Sequence, residues 1–164
     1  MGAKLSTIWK IRPPSAREPG YWRNIIVLLE NAMWLACLLE TEGSIGIHKS
    51  TRSGKYPRHV SAVRVSMTTS PYLEKAVEFT GLGKVSRGAR TTTTGKPVFT
   101  WSVQGRDTRS ILLAIWPFLL IKRRQVELLL ALNNHIESNK GCRLTADGVN
   151  LRDAWYRETR SLNK

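Results

Sequence analysis

The sequence predicts an α+β protein with the element order αββαββα and additional helices at its C-terminus. Three observations predict it. Four segments alternate apolar and polar residues, the period of a half-buried strand. Apolar residues at helical spacing fill the stretches between and after those segments. The chain has 164 residues, 41% hydrophobic and 23% charged, which suits one compact domain with a real core.

Each element has a local reason. Residues 1–30 hold Pro13, Pro14, Pro19 and Gly20 together with Lys4, Lys10, Arg12 and Arg17. They read as a basic N-terminal arm ahead of a single domain, 31–164, and the arm is either a solvated tail or an extra phosphate contact. Residues 24–29 are apolar enough for a short helix, and Asn31 is placed to cap the next one. Residues 32–42 are apolar on nearly every side, the pattern of a buried helix. In so small a chain that suggests burial against a second copy. Gly43 is the stop signal.

Residues 44–50 alternate, with Ile45 and Ile47 on one face and Ser44, Gly46 and His48 on the other. A loop through Gly54 leads to a second strand at 58–68, Val63 and Val65 inward, Arg64 and Ser66 outward. Pro71–Thr80 reads as a helix with proline in its first turn and Gly81 at its end. Strands follow at 84–90 and 98–104, joined by a turn-rich loop; in the second, Phe99, Trp101 and Val103 oppose Thr100, Ser102 and Gln104. Asp107 is placed to cap a helix through Ile115, which Pro117 and Phe118 break. Long helices follow at 122–136 and 145–162.

Charge narrows the function. Against 26 Lys and Arg stand 12 Asp and Glu, a net charge of +14, which favours a polyanion as partner. The apolar runs near 111–121 and 126–132 are too short to span a bilayer, and no secretory signal is read, so no membrane partner is expected. The two cysteines, Cys37 and Cys142, suit neither a disulfide framework nor a zinc site, and an intracellular, reducing compartment fits. Between Ser44 and Arg106 eleven basic residues face only Glu74 and Glu78. The positive field therefore belongs to the sheet and its loops. Its outward residue types are those that grip phosphate and read base edges, although a soluble sheet face can also be merely basic.

One stretch breaks the pattern. Residues 35–43 read Leu-Ala-Cys-Leu-Leu-Glu-Thr-Glu-Gly. Acids are disfavoured at the negative, C-terminal end of a helix. Glu40 and Glu42 there ask for a compensating cation, and in a basic chain that reads as a metal site facing phosphate.

This stretch resembles the signature of the LAGLIDADG homing endonucleases. Leu35, Ala36, Leu38 and Gly43 are identical to it, Leu39, Glu40 and Glu42 are conservative replacements, and Cys37 and Thr41 depart from it. The element order fits that family over roughly residues 30–136. Residues 73–83 look like its helix between two hairpins, and Pro117-Phe118-Leu119-Leu120-Ile121-Lys122 like the segment that delivers its lysine.

The resemblance implies a curved four-stranded antiparallel sheet and, with one motif per chain, a homodimer whose motif helices meet through Leu35, Ala36, Leu38 and Leu39. It implies a site-specific endonuclease that cuts both strands of a long pseudo-palindromic DNA and leaves short 3′ overhangs. Glu42 and the carbonyl of Thr41 match metal ligands for Mg²⁺, with Mn²⁺ as a substitute, and Glu42 and Lys122 match the catalytic positions. Double-stranded DNA would meet Ser44, Gly46, His48, Ser50, Arg52, Lys55, Arg58, Arg64, Lys84, Ser86, Arg90, Thr100 and Ser102. For Glu40 a hydrogen bond to backbone or to a basic neighbour is favoured over metal ligation. Met67 falls near a position where the family carries an amide, and a thioether cannot replace its hydrogen bonds. Two rivals share the scaffold: an RNA-binding intron maturase and a DNA-binding regulator that does not cleave.

Overall fold

The computed structural model describes residues 29–50, 57–91 and 95–163. The expected helix at 24–29, nearly all of the N-terminal arm, and the DNA-contact candidates Arg52 and Lys55 lie outside the described residues.

The elements run α1 (Leu29–Thr41), β1 (Gly43–Ser50), β2 (Arg58–Met67), α2 (Pro71–Thr80), β3 (Lys84–Thr91), β4 (Pro97–Gln104), α3 (Thr108–Ile115), α4 (Arg123–Ser138) and α5 (Ala146–Leu162). The four strands form one antiparallel sheet in the order β1-β2-β4-β3. Pro71 starts α2, and Gly81 ends it in the left-handed conformation (φ 64°), which glycine adopts without steric cost.

Alternation divides the sheet. Ile45, Ile47, Val63, Val65, Trp101 and Val103 point to one face and are buried, packed with Leu35 and Leu39 of α1 and Ile111, Leu112 and Ile115 of α3. Trp101 is fully enclosed, and its indole donates to the carbonyl of Leu82 (3.0 Å). Some polar groups inside this core are partnered, while His59 Nδ1 and Gln125 Oε1 are buried without a hydrogen bond among the described residues. Ser61 bridges Thr108 (2.8 Å), Asn133 (2.7 Å) and the carbonyl of Gly105 (3.0 Å), which ties β2 to α3 and α4. The exposed edge of β1 is covered by α5, whose C-terminal neighbour Asn163 donates to the carbonyl of Ile45 (3.0 Å).

Two expected caps differ. α1 already includes Asn31, so this residue is interior to the helix. Asp107 has helical backbone angles (φ −64°, ψ −22°) inside a tight turn, and its side chain makes no cap; a capping residue needs extended angles. Thr145, which is extended (φ −79°, ψ 163°), does cap α5 by accepting from the N–H of Gly148. Among the described residues no helix is long and apolar enough to cross a membrane.

Candidate active site and nucleic-acid interface

The end of α1 is built by a close turn. At Gly43 an added Cβ would lie 2.6 Å from the Leu39 side chain and 2.7 Å from its backbone, so only glycine lets β1 leave α1 this sharply. The turn sets Glu40 and Glu42 near one another but on different sides of the helix end.

Their surroundings diverge. The Glu40 carboxylate accepts three backbone N–H groups from the segment before α4: Leu120 (3.2 Å), Ile121 (3.1 Å) and Lys122 (2.9 Å). Its charge is therefore spread over an anion-binding cradle of amides. Glu42 is exposed, and its carboxylate makes no hydrogen bond or ion pair among the described residues.

Lys122 supplies the cation. Its Nζ donates to the carbonyls of Leu39 (2.7 Å) and Gly43 (2.6 Å), across the negative end of the α1 dipole. It forms no ion pair within 4.0 Å with either glutamate. Burial pushes the Lys122 ammonium below its ordinary value, and the nearby Glu40 and Glu42 pull the other way.

The donor set suits a hard, oxygen-seeking ion. Glu42 offers a free carboxylate, and the carbonyl of Thr41 belongs to the last turn, where helix carbonyls lack intrahelical donors. Among the described residues no three His, Cys, Asp or Glu side chains come together to enclose a metal. That excludes a closed chelating cage there but agrees with Mg²⁺, which keeps several waters and takes one or two carboxylates together with phosphate oxygens.

The outward face of the sheet brings the polar candidates into rows. Ser44, Arg64, Ser102 and Lys84 are consecutive register partners across all four strands. Ser66, Thr100 and Ser86 form the next row, linked by the Ser66–Thr100 hydroxyl contact (2.9 Å) and by Ser86 donating to the Thr100 carbonyl (3.3 Å). His48, Ser50 and Arg58 are exposed at the far end of β1 and β2, and Arg90 belongs to the far end of β3. Gly46 sits under α5, where an added Cβ would lie 3.7 Å from Asn163. Burial and the neighbouring Arg64 push His48 below its ordinary value, so it is neutral at pH 7, a donor and acceptor rather than a cation.

One sequence expectation is corrected. Leu35, Ala36 and Leu39 are at most 1% exposed and are consumed by the chain's own core, while Leu38, 9% exposed, also lines a surface depression with Trp34, Met67 and Tyr72. The all-round apolar pattern of α1 reflects α3 and the sheet on one side. Its open face carries Met33, Cys37 and Thr41, with Trp34 and Glu40 at the margins. Leu120 and Ile121 were also missed as surface residues: they are 87% and 80% exposed, although their run of leucines and isoleucine reads as core. Ser66 and Gln104, on the outward alternation of β2 and β4, belong with the sheet-face candidates as well. Both cysteines are free thiols.

The architecture recurs in solved structures of homing endonucleases. I-CvuI, in complex with its target in the presence of 2 mM Ca, has a TM-score of 0.67 at 19% identity over 82% of this chain and 82% of that chain. The archaeal intron-encoded I-Vdi141I, complexed with DNA, has a TM-score of 0.70 at 15% identity over 82% of this chain and 85% of that one. The LAGLIDADG homing endonuclease I-SmaMI, bound to cleaved DNA, has a TM-score of 0.62 at 18% identity over 76% of this chain and 42% of that one. No protein-family model and no curated protein sequence matches the chain.

Proposed function

We propose that this chain, which has the fold of the LAGLIDADG homing endonucleases, is a site-specific DNA endonuclease that acts as a metal-dependent homodimer. The observation that carries this reading is the unpartnered carboxylate of Glu42 at the negative end of α1, beside a lysine already occupied by carbonyls. The similar solved proteins bound to DNA support the same reading.

DNA lies along the outward face of the sheet. Arg58, Arg64 and Lys84, with Arg52, Lys55 and Arg90, neutralise phosphates, and Ser44, His48, Ser50, Ser86, Thr100 and Ser102 reach base edges. One chain covers about one helical turn of major groove and two chains on the order of 20 base pairs.

Glu42 and the carbonyl of Thr41 would hold Mg²⁺, or Mn²⁺ in its place. When bound, the ion supplies an activated water and charge stabilisation for phosphodiester hydrolysis. Lys122 does the rest of the local electrostatics. Its Nζ holds the Leu39 and Gly43 carbonyls, fixes the turn that presents Glu42, and keeps positive charge beside the phosphate as negative charge develops there. Its lowered pKa also brings Nζ closer to exchanging a proton at neutral pH. The two sites of a dimer cut one strand each, leaving short 3′ overhangs.

The test is selection of cleaved duplexes from a randomised library with Mg²⁺. A recovered consensus of about 20 pseudo-palindromic base pairs with 3′ overhangs supports the reading. Duplexes that are bound but never cut, in Mg²⁺ or Mn²⁺, would establish a non-cleaving regulator instead. Preference for folded RNA over duplex DNA would establish a maturase.

A further inference from the structure

The outward alternation of β2 carries an apolar interruption. Its outward residues are Arg58, Val60, Ala62, Arg64 and Ser66, and between them His59, Ser61, Val63 and Val65 are buried. Val60 and Ala62 are thus turned away from the core, onto the basic face. Ala62 is 3% exposed, so the apolar surface left open there is that of the half-buried Val60. Across the sheet Val60 pairs with His48, and Ala62 pairs with Gln104. Gln104 is exposed, and its amide makes no hydrogen bond among the described residues. Ala62, with a single methyl, lies between the amide and Val60.

The chemistry of these two neighbours selects what they meet. In the major groove thymine presents a C5-methyl group, which no other unmodified base has. Adenine presents an acceptor and a donor that fit an amide side chain bidentately. Both groups belong to one base pair. Val60 and Gln104 are diagonal neighbours on adjacent strands, a relation that sets residues about 7–8 Å apart. That spacing falls within the roughly 12 Å width of the groove.

We infer that Val60 and Gln104 together read one A·T pair in each half-site: Val60 packs on the thymine C5-methyl while the Gln104 amide bonds N6 and N7 of the paired adenine. The second contact fixes the source of the methyl. A 5-methylcytosine carries the same group but brings guanine, whose N7 and O6 are both acceptors. The Gln104 carbonyl oxygen would then face an acceptor and lose its donor. Both residues determine specificity and take no part in hydrolysis, so they act on the choice of duplex. This inference rests on the reading of the chain as a DNA endonuclease, and adds which pair the centre of the sheet recognises and by which groups.

The experiment sets two duplexes in competition for the whole chain in Mg²⁺ and reads the ratio of their cleavage rates, which measures discrimination directly. One is the duplex recovered by library selection. The other is a copy in which a single thymine is replaced by uracil, or a single adenine by 7-deazaadenine. At one A·T pair per half-site, uracil is expected to cost roughly fourfold, the effect of one buried methyl. At the same pair, 7-deazaadenine is expected to cost about fivefold or more. Val60→Ser is expected to abolish the uracil effect and keep the other, and Gln104→Ala to do the reverse. Neither side chain belongs to the core, and thermal melts verify that both variants fold. Uracil tolerated at every position, a uracil effect that persists in Val60→Ser, or two effects that fall on different pairs overturns the inference. The nuclease reading then stands, because the unmodified duplex is still cut. A wild-type chain that recovers no cut duplex from the library overturns both.

Discussion

Acid and lysine meet in two places in this molecule, with opposite outcomes. At Asp153 on α5 the carboxylate sits between Lys49 and the buried His59, with 2.7 Å to each. Lys49 and His59 hold the Asp153 carboxyl below its ordinary value. Every charge there has its counterpart, and the cluster pins α5 to β1 and β2. At the tip of α1 the lysine passes by both carboxylates and takes two carbonyls instead. Glu40 is satisfied by amides, and Glu42 is left open. A closed cluster holds a fold together; an open one, at the negative end of a helix under a basic sheet, is available for chemistry.

Removing the cation from the open cluster has the largest expected effect. Lys122→Met should lower single-turnover cleavage by roughly 100-fold, with DNA affinity nearly unchanged. Because the ammonium is pushed below its ordinary value, it loses its charge at lower pH than a free lysine. Wild-type cleavage should therefore fall on an alkaline limb below the usual lysine range, and Lys122→Arg, which stays charged, should move that limb upward. An unchanged pH profile in the arginine variant would place the titration elsewhere.

Removing the anion from the closed cluster should act on stability instead. Asp153→Asn weakens the bonds to Lys49 and the buried His59, and should cost about 1–3 kcal/mol in urea unfolding with cleavage at 25 °C retained. The sign with pH follows from the depressed carboxyl. Its contribution is complete above the unfolded-state value and is lost as pH falls through the lower folded-state value. The difference in stability between wild type and Asp153→Asn should thus shrink in acid. A difference that persists there would remove the ion-pair account of the cluster.

A third substitution sharpens the comparison with a charge that belongs to neither cluster. Arg64, in the centre of the outward row with Ser44, Ser102 and Lys84, should affect DNA alone. Arg64→Ala should weaken binding about tenfold and reduce the slope of log affinity against log salt by about 0.9 if it contacts one phosphate. An unaltered slope together with relaxed sequence preference would make it a base reader instead.

The two clusters also mark what the sequence could reveal. Strand faces were legible because a period of two leaves little choice: Ile45 and Val63 inward, Ser44 and Arg64 outward. The ends of α2 were legible from Pro71 and Gly81. The electrostatic oddity of Glu40 and Glu42 was legible too, because it is local. That Glu40 would be held by hydrogen bonds to backbone was legible as well; which backbone holds it, and where Lys122 goes, was not. The amides that hold Glu40 lie up to 82 residues away, and no local pattern says that an ammonium prefers carbonyls to carboxylates. For the same reason Leu35, Ala36 and Leu39 were read as contacts between chains. Periodicity reports that a residue is buried, not whether its own chain or another buries it. Asp107 failed as a cap because the turn before it was already helical, a three-dimensional fact that its residue type does not carry.

The most direct test concerns Glu42 itself. Glu42→Gln keeps size and shape but removes the open negative charge. On a selected target, single-turnover cleavage in Mg²⁺ should fall by at least about 100-fold. Binding of the uncut duplex should stay within a few-fold, and unfolding free energy within about 0.5 kcal/mol, because that exposed carboxylate makes no hydrogen bond or ion pair among the described residues and only a longer-range attraction to Lys122. A glutamine variant that cuts as fast as wild type, or that unfolds instead, would contradict the assignment of the α1 tip as the reactive end of the molecule.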